Sequence, residues 1–596
     1  MTEQRYGRHP NKKEVYPVAD WIYGHRLIIN QHWMEYLLEF LNVFVGYDCK
    51  LGRGIDMGIN PPIADAEGYK VISRFGLRRF VFYDDRNKVG DVRDRKALEE
   101  LEKALKAGVI TQGTSLGNYS NLSGQSGRGL ETVRSLLRNF TAIRESRSWY
   151  ACSLIPVHKN FLFFEARRPS LPKSAPEIDL SKIKDLDQGI SQTDRNFYAR
   201  GGEIYYLMLS AGTENDPVKR DFIGKRLDDL LSQNEDLGQL AEIIDTQWTN
   251  YKANQSQGKD SKPTKIDLGW IANQDCPAYQ LAAEDLACFL QSAMDQSAAI
   301  ELLAHLIGFH MVQMIYWRTN ETLGNSGLPL IPVDCSSSPN RRAFHHLSAS
   351  QLKANQEAQI QAVYAYTKQL IQEWFPKAKG RAENSFDSSG GHVLDELNEN
   401  LWKHFNITQL QKDSKGEYEA LIKQLRTSAQ SATLGSSDSE SDQRMIEEIS
   451  TNLAKYFLSR YRKSFLGVHR KIGQGIGLIR PRFGRGQRYI LSPVLQKALV
   501  IANVEPKGTG QGRLFFDDFV ARLYERYGLV IGPVEARKAA LFELRDIDHQ
   551  YYKDNLREFR KQLKNAGLLS EYSDATAVVI NHYPLIVSKY TVLAQG

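Results

Sequence analysis

The chain has 596 residues, 42% of them hydrophobic and 25% charged, with a formal net charge of +7. That length suits about three or four domains of roughly 150 residues, and the composition excludes a collagen-like, mucin-like or wholly disordered chain. The cysteines (Cys49, Cys152, Cys276, Cys288, Cys335) are scattered with no CxxC pair, which excludes a disulfide-dense scaffold and a four-cysteine zinc ribbon.

The opening MTEQRYGRHPNKKEV has no apolar core, so no secretory leader is expected. Unpaired thiols point to a cytoplasmic setting. A helix is expected from about His25 to Val45, stopped by Gly46. Phe75–Tyr83 reads as a strand, Asp94–Lys106 as a charged helix, and Gly113–Gly129 as a Gly/Ser/Asn-rich loop. Leu130–Phe140 follows as a helix and Leu162–Glu165 as a short apolar run. GTSLG at Gly113–Gly117 matches a nucleophile elbow by letters only, because the strand before it and the helix after it are missing. Residues 169–193 read as a linker and close an N-terminal α+β domain at 1–168.

A helical middle domain is expected over 194–426, with a helix at Phe197–Ser210, an exposed stretch at 252–265, two packed helices within 280–320 and a long helix at Gln351–Phe375. The uncharged run Leu302–Trp317 is shorter than the ~20 residues that span a bilayer. It reads as a buried core helix, and no membrane is expected as a partner. His305 and His310 lie five apart without an HExxH pattern, so they read as core histidines and no metal site is assigned. Asp334 follows the apolar LPLIPV at a strand end. With Arg341, Arg342 and His345 it would favour a bound phosphate; an ordinary loop residue is the plainer alternative. The Ser/Gly/Asp-rich stretch 427–443 is the sharpest boundary and opens a basic C-terminal domain at 444–596.

Between Glu448 and Glu505 there are eleven cations and no acid, which leaves the remainder slightly acidic. Such segregation suits a phosphate backbone; a solvated basic face, or a dock for an acidic subunit, is the alternative. The run Arg470–Tyr489, RKIGQGIGLIRPRFGRGQRY, interleaves glycines with Arg470, Lys471, Arg480, Arg482, Arg485 and Arg488. Small residues let a backbone approach phosphate, and arginines grip it. It is neither a Walker A nor a Rossmann fingerprint, so it reads as a basic hairpin or loop on nucleic acid, against a Gly-rich hinge.

Beyond it, Leu491–Val504 reads as a helix. Phe516, Phe519, Val520, Leu523, Tyr524 and Tyr527 form one helical face closed by Gly528, and a further helix follows Pro533. A third helix is expected from Asp554, as N-cap, to Gly567. It buries Leu556, Phe559 and Leu563 and presents Arg557, Arg560, Lys561 and Lys564. Thr576–Ile580 would supply a wing strand. The expected fold class is mainly α with minor β: a multi-domain helical body with a C-terminal winged-helix-like module whose last helix enters the major groove. Asp517, Asp518, Glu525, Glu535, Glu543, Asp546 and Asp548 make its first two helices acidic and favour the alternative, a packing or assembly role.

The stretches RGQRYILSPVLQKALVIAN, FFDDFVARLYERYGLVIGPVEA and DNLREFRKQLKNAGLL resemble accessory proteins of bacterial multi-gene anti-phage defence operons, within roughly the last hundred residues. The resemblance implies double-stranded DNA as target and an ATPase, helicase or methyltransferase as fellow subunit. It carries no catalytic signature, so no catalytic residue and no cofactor are assigned. The expectation is a non-enzymatic DNA-binding and assembly subunit. A motif-poor nuclease or nucleotide hydrolase, and a protein–protein scaffold with a basic docking patch, are the alternatives.

Overall fold

The computed structural model describes residues 5–7, 18–25, 27, 31–55, 68–70, 158–162, 201–233, 265–336, 342–383, 390–405, 439–481, 486–508, 512–541, 549–572 and 576–586, with a few single positions besides. The expected elements Phe75–Tyr83, Asp94–Lys106, Gly113–Gly129 and Leu130–Phe140, and the linker 169–193, lie outside the described residues.

In chain order the helices are α1 (Val18–Ile22), α2 (Trp33–Gly46), α3 (Gly202–Gly212), α4 (Pro217–Leu231), α5 (Pro277–Gln291), α6 (Gln296–Thr322), α7 (Arg342–Glu383), α8 (Gly390–Phe405), α9 (Ser439–Ile476), α10 (Pro493–Asn503), α11 (Phe516–Tyr527), α12 (Pro533–Lys538) and α13 (His549–Asn565). The strands are short: β1 (Arg5–Gly7), β2 (Tyr69–Lys70), β3 (Lys265–Ile266), β4 (Trp270–Ala272), β5 (Ile331–Pro332), β6 (Ile479–Arg480), β7 (Arg488–Tyr489), β8 (Arg513–Phe515), β9 (Leu529–Val530), β10 (Leu569–Glu571) and β11 (Ala577–Ile580). The chain is mainly α with minor β, as its composition and periodicity imply.

Helix α6 is the axis of the core. By length and composition alone it would cross a membrane, yet 83% of its apolar window is buried inside the fold. It is apolar all round because α2, α5, α7, α9 and α10 surround it. Asp295 starts it by accepting the backbone N–H groups of Ser297 and Ala298.

Helix α2 begins later than the apolar run beginning at His25 implies. His32 caps it, taking the Met34 N–H on Nδ1, and Glu35 reaches back to the His32 N–H. This capping box sets the start at Trp33 against the hydrophobic pattern. Helix α7 is longer than Gln351–Phe375 and continues through Pro376, with Phe375 and Ala378 buried on either side of that residue. It runs antiparallel to α9: Gln359 bonds His469, Thr367 bonds the Ser450 carbonyl, and Lys379 pairs with Asp442.

The C-terminal elements follow the order β8, α11, β9, α12, α13, β10, β11, with an antiparallel sheet ordered β10–β11–β8. The apolar face of α11 is placed as its spacing implies: Phe516, Phe519, Val520, Leu523 and Tyr527 are buried. Gly528 ends the helix at φ 68°. Asp554 is not an N-cap. The helix is already formed at His549, and Asp554 accepts from Gln550 within it.

This region is packed into the body. Strand β9 pairs in parallel with β5, Ile331 opposite Leu529. One continuous buried cluster runs from Tyr6 to Val579, and a smaller one joins Phe344 and Leu347 of α7 to Val530, Ala536, Leu541 and Tyr552.

Candidate nucleic-acid interface

Helix α13 has two faces. Tyr552, Asn555, Phe559 and Leu563 are buried, while Lys553, Arg557, Lys561 and Lys564 recur at i, i+4, i+8 and i+11 on the exposed side. That spacing stacks four cations in a stripe along the helix. Lys553 and Lys561 have no acidic partner among the described residues. Arg557 meets Asp554 at 3.2 Å with its own side chain 72% exposed, a pair worth at most about 1 kcal/mol that a phosphate readily replaces. Arg560 (2.9 Å) and Lys564 both pair with Glu571 of β10, and first Lys564 and then Arg560 draw that carboxyl below its usual range.

The buried face fixes the orientation of the stripe. Asn555 Oδ1 accepts the Cys335 N–H at 2.8 Å, and its Nδ2 donates to the carbonyls of Val333 and Ile531, both at 2.9 Å. One side chain thus bridges β5 and β9. Gln562 donates to the Cys335 carbonyl and accepts from Gln496 of α10. Beside the helix, the β10–β11 hairpin closes with the Tyr572 N–H on the Thr576 carbonyl. The exposed Tyr572 ring accepts Arg513 at its hydroxyl, 3.0 Å away.

The cations of the glycine-rich run are divided. Arg470 and Lys471 are exposed near the end of α9, and Arg480 is exposed on β6. Arg482 and Arg485 lie outside the described residues. Arg488, directly opposite Arg480 in the β6–β7 pair, turns inward to Asp334. There the buried carboxylate also takes His345 Nε2 at 3.0 Å and the backbone and hydroxyl donors of Ser336. The strand-end acid and its nearby histidine do come together. Their oxygens are occupied by internal donors, so the cluster binds the hairpin base to the start of α7. Burial first, then Arg488 and His346, hold His345 below the usual imidazole range against the pull of Asp334. Arg341 lies outside the described residues.

The hairpin and α13 grip the same short segment. Arg488 holds Asp334, and Asn555 and Gln562 hold Cys335. Deeper in, Asp285 of α5 accepts Arg526, the Tyr527 hydroxyl at 2.7 Å and His310 Nε2 at 2.9 Å, while Tyr205 meets His310 Nδ1. This buried relay anchors α11 to α3, α5 and α6. His305 is also buried and bonds the Glu301 carbonyl. Among the described residues no group of three or more His, Cys, Asp or Glu side chains is placed to hold a metal ion.

The sequence reading missed Lys553, because it began the helix at Asp554 whereas the helix starts at His549. The signal was its spacing of four from Arg557. Comparison with protein-family models, curated proteins and solved structures gave no match.

Proposed function

We propose that the chain is a DNA-binding and assembly subunit whose duplex-contacting element is α13. The observation that carries the reading is the stripe Lys553, Arg557, Lys561 and Lys564 on the open face of a helix whose other face is locked to the body. Helices α11, α12 and α13 followed by the β10–β11 hairpin, with β8 completing the sheet, support reading the region on the winged-helix plan. In that plan α13 lies in the major groove and the β10–β11 hairpin, with Tyr572 and Arg513, flanks the backbone. The resemblance to anti-phage defence accessory proteins sets this contact in a bacterial, cytoplasmic multi-protein complex with an ATPase, helicase or methyltransferase.

The test is fluorescence anisotropy with a labelled DNA duplex over a salt series. Reversing Lys553, Arg557 and Lys561 to Glu is expected to weaken binding at least tenfold and to reduce the log–log salt slope by up to about 2.7, at about 0.9 per lost phosphate contact. Unchanged affinity and slope would sink the assignment.

A further inference from the structure

The antiparallel pair α7–α9 is packed along its length, and a surface groove opens on one side of it. Lys368 pairs with Glu447 and Lys379 with Asp442 at one end; Gln359 bonds His469 at the other. Between these ties lies a cavity of about 540 Å³. Its floor is apolar, from Ile360, Tyr364 and Leu458, and its α9 rim carries the exposed Lys455 and Arg462. Neither cation has an acidic partner among the described residues, whereas Lys368 and Lys379 of α7 each pair with an acid of α9. Glu357 on the opposite rim bonds Gln361 of its own helix and pairs with neither cation.

We infer that this groove is the docking site for an acidic amphipathic helix of a partner subunit. Lys455 and Arg462 are seven residues apart, two turns or about 10.5 Å along one face of α9. Carboxylates at the same spacing on a third helix would meet both cations, while its apolar residues fill the floor. A nucleic acid fits less well: the floor offers its phosphates nothing, and Glu357 repels them. This surface is separate from α13 and stands whether or not α13 meets DNA.

The test is selection of a displayed random-peptide library on the full-length chain, followed by binding of the enriched peptides to wild type and to K455E/R462E. The melting temperature and the helical circular dichroism of the double variant serve as folding controls. The expected peptides carry acids seven residues apart beside apolar anchors, and the reversal weakens them about tenfold or more. Failure to enrich, enrichment of peptides without acids, or binding indifferent to the reversal overturns the inference. Displacement of the peptides by duplex DNA from a chain with the α13 stripe reversed also overturns it, by making the groove a nucleic-acid surface.

Discussion

Asp334 receives Arg488, His345 and both donors of Ser336 on a fully buried carboxylate. Donors to a charged acceptor are worth about 1.5–3 kcal/mol each, so Asp334→Asn is expected to cost about 2 kcal/mol in a urea titration. The same variant leaves Arg488 without its carboxylate. A reversal at Arg488 would therefore confound stability with binding, and the α13 stripe is the cleaner target. His469 is fully buried, and desolvation pushes its imidazole down to about 3. The unfolded chain then binds more protons than the folded one between about pH 3 and 6.5, so stability is complete above 6.5 and falls as pH drops through that window. The slope from this one group approaches about 1.4 kcal/mol per pH unit. Replacing His469 with Gln is expected to flatten the acid limb of a melting-temperature profile; an identical limb would show that His469 does not set it.

Among the elements, α11 and α13 show how a helix end and a helix face act differently. Gly528 ends α11 in the left-handed region, and an added Cβ would fall 1.8 Å from the Pro329 carbonyl oxygen. Gly528→Ala is expected to cost more than about 1 kcal/mol in chemical denaturation, through both backbone strain and loss of the close β5–β9 approach. Helix α13, by contrast, tolerates change on its exposed face. Lys561→Ala is expected to shift stability by less than about 0.5 kcal/mol while lowering the salt slope of DNA binding by about 0.9. The sequence made α11 legible because its apolar residues all lie on one face with a glycine stop. It misplaced the start of α13 because Asp554 has N-cap chemistry, whereas here it serves an i to i+4 side-chain contact inside the helix.

At the scale of the molecule, Asn555 joins three backbone groups from the segments that leave β5 and β9, far apart in sequence. Asn555→Ala leaves those groups buried without partners, each at about 1–3 kcal/mol. Expected results are a lowered melting temperature and faster hydrogen exchange at the Cys335 amide, which loses its acceptor, and at the Val333 amide, which bonds the Val530 carbonyl across β5 and β9, with the Asp285 relay still anchoring α11. Protection unchanged at both sites would show that β5 and β9 hold together without it. Most buried residues from Tyr6 to Val579 belong to one cluster, and a smaller one ties α12 and α13 to α7, so stability changes in the C-terminal elements are felt in the body.

Composition, periodicity and helix-stop chemistry, all local properties, sufficed to establish the helical class, the core helix around Leu302–Trp317, the face of α11 and the basic character of residues 449–504. Charge in a sequence, however, says nothing about which acid it will meet. Arg488 faces Asp334, Lys564 faces Glu571, and Lys553 and Lys561 face solvent. Packing decided that, because a carboxylate's neighbours are set by the contacts of distant elements in three dimensions. The groove between α7 and α9 has the same origin: its lining comes from two helices that lie far apart in the sequence.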